Sequence, residues 1–382
     1  MYNGVSMDAF TVNLGDRSYP IFFSYDRIGE QAELFQKEFP NSKLFFVTND
    51  TVAGLYQDKI QKSFLSNHEF HFISLPDGDS YKNLVTAEQI FTKLIENGAD
   101  RRSVIIGFGG GVIGDMAGFA ASAYMRGVPF VQFPTTLLAM VDSSVGGKVA
   151  VNHALGKNLI GAFYQPKWVA IDYAFLETLP KRELVCGLAE MIKYGLILDK
   201  PFFDWTVMHV QDILALERTA VGFAVKKSCE LKAQVVEKDE KENNIRVILN
   251  FGHTWAHAFE NLGGYRILKH GEAVLLGLLA ASHMSWINYR LNDKEFKQIE
   301  QTLLPLTKMI LTEEGVKNFM ESLTWNAVWS KMLSDKKTTS KQVRWVVLNR
   351  IGEALTDDQL QPAMAEKSFE YLQTLIRKTE YA

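Results

Sequence analysis

Residues 103–118 read SVIIGFGGGVIGDMAG and carry the strongest fold signal in the chain. A β-branched run comes first, and Gly109, Gly111 and Gly114 then satisfy the pattern GxGxxG at the start of a helical segment. Glycines let a backbone turn tightly and approach a pyrophosphate, whose charge is met by N–H groups of the helix N-terminus. The stretch therefore predicts a strand, a turn and a helix of an α/β fold. It favours a dinucleotide site, although a tight turn with close packing needs the same glycines.

The next strand departs from the usual dinucleotide-binding layout. An ordinary dinucleotide fold places an acidic residue at the end of that strand, where it holds the ribose. Here residues 130–133 (FVQF) lead through a proline to Thr135 and Thr136. Asp50 and Asp79, which follow two earlier strand-like runs, are the alternative ribose ligands, and either one also suits a plain turn.

Strand-like and helical runs alternate through the first 180 residues, which is the pattern of a parallel sheet flanked by helices. The strand-like runs are residues 43–48, 71–75, 103–106 and 130–133, and residues 84–95 form an amphipathic helix. Beyond residue 180, helical patterns follow one another at residues 182–198, 221–237, 253–262 and 271–291. We expect a Rossmann-like α/β domain with a parallel sheet over residues 1–178 and a mainly α-helical domain over residues 179–382.

The composition excludes several classes of protein. The chain has 382 residues, of which 47% are apolar, and a net charge of −3, so it has no global basic field for nucleic acid. The longest apolar run, residues 273–281, has about half the length of a membrane span. Two cysteines cannot define a disulfide framework, and the N-terminal residues lack a signal-peptide pattern. We expect a cytoplasmic protein without nucleic-acid or membrane partners.

Three of the eight histidines, His253, His257 and His270, fall within eighteen residues. His253 and His257 are four residues apart and share a helix face, a spacing that suits a divalent metal ion. A zinc protease is disfavoured because HTWAH lacks the glutamate of HExxH. Glu190, in LAEMIKYG, can complete a His/His/Glu set with open positions for substrate oxygens. The alternative is that these histidines only cap or pack helices.

Basic and amide side chains recur inside apolar or glycine-rich segments. They are Lys148, Lys157, Asn158, Lys193, Lys232, Arg246 and Lys336. A charge in such surroundings is costly unless a partner neutralises it, although each of these residues alone is more often a solvated surface charge. Together they indicate an anionic small-molecule substrate with phosphate and carboxylate groups. Asp142, six residues before Lys148, can hold a substrate hydroxyl or serve as a cap or turn residue.

Taken in order, these segments resemble the 3-dehydroquinate synthase family of sugar phosphate cyclases. The stretches that carry the resemblance lie between residues 76 and 337 and read PDGDSYK, GFGGGVIGDMAGFAASAYMRG, FPTTLLAMVDSSVGGKVAVN, GKNLIGAFYQP, FLETLP, GLAEMIKYG, LNFGHTWAHAFE, HGEAV and SDKK. The resemblance implies an NAD-binding α/β domain, a helical metal domain, a homodimer, and one zinc or cobalt ion per active site.

The resemblance also implies roles for individual residues. The metal ligands would be Glu190, His253 and His270. The NAD+ contacts would come from Asp79, Lys82, Gly111, Val112, Ile113, Gly114, Asp115, Thr135, Thr136, Lys148, Lys157, Phe175, Leu176 and Thr178. The phosphorylated sugar acid would meet Asp142, Lys148, Asn158, Lys193, Lys232, Arg246, Asn250, His257 and Lys336, with Arg126 reaching across the dimer. The catalytic set among them would be Asp142, Lys148, Lys193, Arg246, Asn250 and His257.

The implied reaction converts 3-deoxy-D-arabino-heptulosonate 7-phosphate to 3-dehydroquinate and phosphate. The metal polarises a hydroxyl while NAD+ accepts hydride from its carbon, and the resulting ketone acidifies the neighbouring C–H. Phosphate then leaves by β-elimination with its own oxygen as base, NADH returns the hydride, and ring opening and aldol closure follow. The expected anchors for the phosphate are Lys148, Asn158, Asn250, His257 and Lys336. Lys232 and Arg246 would face the carboxylate, and Asp142 and Lys193 would hold hydroxyls.

Two departures from the family pattern and three alternatives stay open at this point. Asp79 stands where the family has glutamate, which shortens the reach to a ribose. The family's HTxGH is HTWAH here, so the methyl group of Ala256 could crowd a helix contact near the metal. The alternatives are a sister cyclase of the valiolone or 2-deoxy-scyllo-inosose type, an iron-group alcohol dehydrogenase, and a non-catalytic NAD-binding scaffold.

Overall fold

The computed structural model of the chain describes residues 8–64, 69–335 and 343–379. The described residues form two compact units. The first comprises the chain up to Leu179 together with Val221–Lys241, and the second comprises Pro180–Ala220 and the chain from Glu242 onward. The chain therefore leaves the first unit, returns to it once and then leaves it again.

A parallel sheet organises the first unit. Its strands are β1 (Asp8–Val12), β2 (Tyr19–Ser24), β3 (Leu44–Asn49), β4 (Phe70–Leu75), β5 (Val104–Gly109), β6 (Phe130–Pro134), β7 (Lys148–His153), β8 (Gly156–Phe163) and β9 (Trp168–Asp172). Among the described residues the sheet order is β1-β2-β9-β6-β5-β3-β4, while β7 and β8 pair as a separate antiparallel hairpin. Within the large sheet β1 is antiparallel to β2, and the other neighbouring pairs are parallel. The predicted α/β class is confirmed.

Helices cover both faces of this sheet. They are α1 (Ile28–Glu38), α2 (Asp50–Phe64), α3 (Leu84–Glu96) and α4 (Gly111–Ala123). Phe45 of β3 belongs to the core cluster that contains Ile90 of α3, whereas the neighbouring Phe46 contacts the ring of Phe64 on α2 at 5.3 Å. A strand covered on both faces has no solvent-facing side, which explains the continuous apolar runs of β3 and β5.

The carboxyl ends of the parallel strands bring the predicted cofactor residues to one edge of the sheet. Asp50 follows β3, Asp79 follows β4, Gly111 follows β5, Thr135 follows β6 and Phe175 follows β9. Ligands of open α/β sheets bind at this edge, because the strand-to-helix turns and helix N-termini collect there.

Helices dominate the chain after residue 180, as predicted. They are α5 (Lys181–Leu198), α6 (Lys200–Met208), α7 (Val210–Leu214), α8 (Arg218–Lys238), α9 (His253–Leu262), α10 (His270–Ile287), α11 (Asp293–Leu311), α12 (Val316–Ser322), α13 (Trp325–Asp335) and α14 (Pro362–Lys378). A two-stranded sheet, β10 (Trp345–Arg350) and β11 (Glu353–Asp357), joins them. Buried residues follow one another without interruption from Gly271 to Ser285, so the apolar run of α10 is a core helix. In the described part of the chain, no helix is long and apolar enough to span a membrane.

Most of α8 groups with the first unit, so this unit is discontinuous in the sequence. The reason lies in the contacts of α8 with the first 180 residues. The Cys229 thiol donates to the carbonyl oxygen of Met140 at 3.2 Å, and the Lys232 ammonium donates to that of Asp142 at 2.6 Å. Lys226 pairs with Asp8 of β1 at 2.7 Å. A helical pattern shows which face of a helix is apolar but not which elements it packs on.

Gly118 of α4 tests how closely this helix packs. A Cβ atom on Gly118 would lie 2.3 Å from Cγ1 of Val149, whereas one on Gly54 of α2 would meet no atom within 4 Å. We expect Gly118→Ala to lower the free energy of unfolding by about 1–3 kcal/mol because the added methyl group overpacks the core. Gly54→Ala is the matched control and should raise that free energy by roughly 0.5–1 kcal/mol. Urea unfolding measures both changes, and equal effects would contradict this packing.

His283 of α10 should make the protein acid-sensitive. Its ring is buried, stacks on Tyr371 at 4.2 Å and lies 3.0 Å from the Ser368 hydroxyl through Nδ1. Burial lowers the pKa of His283 to about 4. Because the unfolded chain then binds more protons, this side chain should cost about 2.5 kcal/mol of stability as the pH falls from 7.5 to 4.5.

The comparison for this prediction is the non-titrating variant His283→Gln. Urea unfolding at pH 7.5 and pH 4.5 should show a smaller acid loss in the variant than in the wild type. An equal loss in both proteins would show that His283 does not carry the effect.

Candidate functional site

Two of the motif glycines are needed for packing at the turn from β5 to α4. A Cβ atom on Gly109 would lie 2.8 Å from Cβ of Ile113, and one on Gly114 would lie 2.8 Å from Oε1 of Gln132 on β6. These separations are shorter than real Cβ contacts, so only glycine fits at either position without a shift of its neighbours. Packing therefore explains part of the GxGxxG pattern.

The first turn of α4 is built to meet an anion through its backbone. Gly111, Val112 and Ile113 are its first residues, and the first N–H groups of a helix have no partner within the helix. The Ile113 side chain is buried in the core. Any contact from Ile113 to a cofactor phosphate would thus come from its N–H group.

A buried ion pair lies behind this turn. The Lys82 ammonium, which is 5% exposed, donates to Oδ2 of Asp115 at 2.5 Å and to Oδ1 of Asn158 at 2.6 Å. Burial raises the pKa of Asp115, and the charge of Lys82 opposes that rise. Lys82, itself a predicted cofactor residue, therefore connects the predicted cofactor residue Asp115 to the predicted substrate residue Asn158.

Asp79 makes a second connection to the β7–β8 hairpin. Its Oδ2 lies 3.2 Å from the Lys157 ammonium and accepts from Nδ2 of Asn152 at 3.2 Å. The backbone N–H of Asn152 donates to the carbonyl oxygen of Lys82 at 2.7 Å. Asp79, although shorter than glutamate, thus reaches both a lysine and the hairpin.

The hairpin itself was not predicted from the sequence. It carries Lys148 at the start of β7, and Lys157 and Asn158 at the start of β8. Asn158 adopts a positive φ of 53°, a conformation that asparagine tolerates better than most residues. Lys157 and Asn158 lie next to the turn of the hairpin, whereas Lys148 pairs with Phe163 at its open end.

The remaining predicted cofactor residues lie at the same sheet edge in different surroundings. Thr135 is buried, and its N–H donates to the carbonyl oxygen of Gly109 at 2.9 Å, while the Thr136 hydroxyl accepts from the Ala139 N–H at 3.1 Å. Asp50 is exposed and accepts from the Ser74 hydroxyl.

The segment after β9 holds three further predicted cofactor residues. Phe175 and Leu176 are buried, and the ring of Phe175 lies 4.9 Å from that of Tyr56. The Thr178 hydroxyl lies 2.5 Å from the Tyr56 hydroxyl. Apolar packing therefore fixes this segment, and Thr178 remains exposed at its end.

Asp142 and Lys232 form a pair within the first unit. Asp142 lies in a π-helical turn, Ala139–Ser143, a geometry that is frequent at functional sites. Lys232 of α8 donates to Oδ1 of Asp142 at 2.8 Å, and its side chain is only 8% exposed. The carboxylate of Asp142 and the ammonium of Lys232 therefore neutralise each other's charge away from bulk water.

The second unit brings Glu190, His253 and His270 together. One ligand atom from each of these three residues lies within 4.8 Å of the others. Oε1 of Glu190 is 3.4 Å from Nε2 of His253 and 3.9 Å from Nε2 of His270. Helices α5, α9 and α10 each supply one of the three side chains.

Both histidines are oriented as metal ligands usually are. Nδ1 of His253 lies 3.2 Å from the carbonyl oxygen of Phe251, which can only accept, so Nδ1 carries the proton and Nε2 offers a lone pair. Nδ1 of His270 lies 3.2 Å from Oε2 of the buried Glu260. A carbonyl or carboxylate behind a ligating histidine fixes its tautomer and ring orientation. The residues present therefore fit a divalent ion held by two nitrogens and one oxygen.

Lys193 adds a cation to this cluster. It is 1% exposed and pairs with Oε2 of Glu190, one helical turn away. Burial lowers the pKa of His253, and the charge of Lys193 lowers it further. A neutral imidazole is the form that binds metal.

His257 lies beside the ligand set, with its ring 6.3 Å from that of His270, and the two residues before it are buried. The rings of His257 and His253 are 5.7 Å apart, and His257 is not part of the three-residue cluster. Trp255 is buried among aromatic rings, with Trp345 at 5.9 Å and Trp325 at 6.3 Å. Ala256 is also fully buried.

Four predicted substrate residues of the described chain are not part of the cluster formed by Glu190, His253 and His270. Arg246 is 1% exposed, and Nδ2 of Asn250 donates to Glu242 at 2.9 Å. Arg126 and Lys148 are exposed. Lys336 lies outside the described residues.

Two solved structures show the class of fold to which the chain belongs. A 2-deoxy-scyllo-inosose synthase complexed with carbaglucose-6-phosphate, NAD+ and Co2+ is 23% identical, with a TM-score of 0.85 over 95% of this chain and 99% of that one. The 2-epi-5-epi-valiolone synthase of Streptomyces hygroscopicus, with NAD+ and Zn2+ bound, is 23% identical, with a TM-score of 0.84 over 95% and 98% of the chains.

Within that class the chain belongs to the 3-dehydroquinate synthase family. The N-terminal family model matches residues 72–186, and the C-terminal family model matches residues 187–338. The 3-dehydroquinate synthase of Nitrosomonas europaea is 45% identical over 359 residues, which are 93% of each chain. The family resemblance predicted from the motifs is confirmed.

The metal cluster predicts a measurable set of affinities. The protein should bind about one Zn2+ or Co2+ per chain, and Glu190→Gln or His253→Ala should weaken binding by more than about 100-fold because a ligand atom is lost. His257→Ala is the control on the same helix and should keep most of the affinity. Titration of the metal-free protein with Co2+, followed by absorption, measures this. Loss of binding in His257→Ala alone would reject the ligand set.

Proposed function

We propose that the chain catalyses the conversion of 3-deoxy-D-arabino-heptulosonate 7-phosphate to 3-dehydroquinate and phosphate. The observation that carries the proposal is the oriented Glu190, His253 and His270 cluster in a chain that is 45% identical to a 3-dehydroquinate synthase. The sister cyclases share the fold at only 23% identity. The activity belongs to the carbon–oxygen lyases, because phosphate leaves by elimination without net redox change.

The proposed cofactors are NAD+ and one divalent ion, zinc or cobalt. When bound, NAD+ would take up and return a hydride, and the ion would polarise the substrate hydroxyl. Glu190, His253 and His270 would hold the ion. The proposed NAD+ contacts are Asp50, Asp79, Lys82, Gly111 to Asp115, Thr135, Thr136, Lys148, Lys157, Phe175, Leu176 and Thr178. Their position at the carboxyl edge of the sheet supports this assignment.

The charged side chains suit a substrate with a phosphate and a carboxylate. Lys148, Asn158, Asn250, His257 and Lys336 are the proposed phosphate ligands, and Lys232 and Arg246 the proposed carboxylate ligands. Lys232 already faces the carboxylate of Asp142 at 2.8 Å, which supports a role for it in binding an anion. Arg246 is 1% exposed and can meet a carboxylate with the planar fork of its guanidinium.

Asp142 and Lys193 would hold substrate hydroxyls. Asp142 pairs with the ammonium of Lys232, and a carboxylate can only accept from a hydroxyl. Lys193 pairs with the carboxylate of Glu190, and an ammonium can only donate to a hydroxyl. Asp142 would therefore act as a hydrogen-bond acceptor towards a substrate hydroxyl, and Lys193 as a donor.

The proposal also covers the oligomeric state, the roles of the two domains and the cellular location. The family pattern supports a homodimer, in which Arg126 would reach the partner subunit's substrate. Residues 1–178 would serve NAD+, and residues 179–382 the metal and substrate, with α8 assigned to the first unit as described. Cys186 and Cys229 are both free and buried, as is usual in a reducing cytoplasm, where we place the protein.

The proposed reaction is tested with Co2+-loaded protein, the heptulosonate phosphate and catalytic NAD+. Phosphate and 3-dehydroquinate should form in equal amounts without accumulation of NADH, and Glu190→Ala should abolish both. Phosphate and the cyclic product are quantified together, and NADH is followed by its absorbance.

Other outcomes of this assay would replace the proposal. Turnover of sedoheptulose 7-phosphate or glucose 6-phosphate in place of the heptulosonate would identify a sister cyclase. Steady accumulation of NADH would identify a dehydrogenase, and a metal-loaded protein inert towards all of these substrates would support a non-catalytic scaffold.

A further inference from the structure

We propose that the buried ion pair between Arg182 and Glu272 positions two metal ligands, Glu190 and His270, relative to each other. The inference rests on the metal site of the proposed function. Neither residue of the pair belongs to the ligand set. Arg182 lies in the first turn of α5, and Glu272 lies in the first turn of α10, two residues after His270.

The contacts of this pair fix both partners. Nε of Arg182 donates to Oε1 of Glu272 at 2.5 Å, and Nη2 donates to Oε2 at 2.8 Å. Nη2 also donates to the carbonyl oxygen of Ile267 at 3.0 Å, and Nη1 lies 3.3 Å from a carboxylate oxygen of Glu313. A bidentate guanidinium–carboxylate pair defines an orientation as well as a distance.

Burial makes the pair necessary rather than incidental. Glu272 is completely buried, whereas the Arg182 side chain is 26% exposed. Removing the cation from a buried carboxylate is strongly destabilising, so Arg182 stabilises the start of α10 at this place. The Lys269 N–H also donates to Oε2 of Glu272 at 2.8 Å, which ties the carboxylate to the residue before His270.

Three contacts follow one another along a single face of α5. Arg182, Cys186 and Glu190 are spaced four residues apart, so they share one side of the helix. They meet, in turn, Glu272, Gly271 and His270, which are consecutive residues of α10. The ion pair, the backbone contact and the ligand pair therefore form one continuous line of contacts.

The middle contact leaves little room for adjustment. A Cβ atom on Gly271 would lie 2.3 Å from Cα of Cys186, so the two backbones are already as close as glycine allows. Glu183, next to Arg182, pairs with Lys269, next to His270. Because the helices touch here, a change in the pair at one end should tilt Glu190 against His270 at the other.

The test measures Co2+ affinity in metal-free full-length protein. Glu272→Gln and Arg182→Lys should each weaken Co2+ binding by about 10-fold, the lower end of the effect of losing a partner behind a metal ligand, because this pair acts on the ligands only through the two helices. The Co2+ absorption bands should also change in intensity, because they report ligand geometry. The double variant should bind Co2+ about as tightly as the single variant with the lower affinity, since the two residues act as one unit.

A matched control comes from an ion pair just beyond the C-terminal end of α10. Arg290 donates to Asp357 at 2.6 Å and is exposed to a similar extent as Arg182. Arg290→Lys and Asp357→Asn should keep the Co2+ affinity and the absorption spectrum of the wild type. Circular dichroism and urea unfolding select variants that are folded, and Arg182→Lys, which retains the charge, provides the test if Glu272→Gln does not fold.

The outcomes separate this inference from the proposed function. If Arg182→Lys binds Co2+ with the affinity and spectrum of the control variants, while Glu190→Gln does not bind, the positioning role is wrong and the metal site stands. If Glu190→Gln and His270→Ala bind Co2+ like the wild type, the metal site itself is wrong, and the inference fails with it.

Discussion

A charged side chain that is removed from water must be matched by an opposite charge, and this constraint organises both units. Lys82 with Asp115 and Lys232 with Asp142 meet it in the first unit. Lys193 with Glu190 and Arg182 with Glu272 meet it in the second. Three of these pairs join separate segments that carry proposed cofactor, substrate or metal ligands, whereas Lys193 and Glu190 pair within α5. Packing of the surrounding core offsets the free energy needed to bury these charges, and the ion pairs hold the chemically active groups in a fixed arrangement.

The sequence predicted the elements whose signals are local. Continuous apolar runs identified β3 and β5 because parallel strands are covered on both faces, and the spacing of His253 and His257 placed α9 correctly. Residue spacing did not predict Glu190, rather than His257, as the third metal ligand. That prediction depended on the segment GLAEMIKYG and the family pattern, since no spacing rule connects residues 190 and 253.

Features that depend on distant contacts were not predicted. The β7–β8 hairpin carries Lys148 and Asn158, yet its glycine-rich sequence resembles a loop, and only pairing with a partner strand makes it regular. The return of α8 to the first unit depends on Cys229 and Lys232 meeting residues 140–142, which a helical pattern does not encode. Glu260 behind His270 left a detectable signal, because HAFE places a glutamate three residues after His257 on the helix that bears a ligand.

The charge of the metal cluster explains how a protein with a net charge of −3 can favour an anionic substrate. The charges of Glu190 and Lys193 cancel, and His253, whose pKa is lowered by burial, is neutral near pH 7. With the carboxylate of Glu260 behind His270 included, a divalent ion in this cluster would leave about one positive charge in a buried setting, where it is weakly screened. Attraction for a phosphorylated acid would then be local, and the metal would add to the attraction of the proposed ligands Lys232 and Arg246. A protein without the ion would therefore bind the substrate more weakly, even though its surface charge is unchanged.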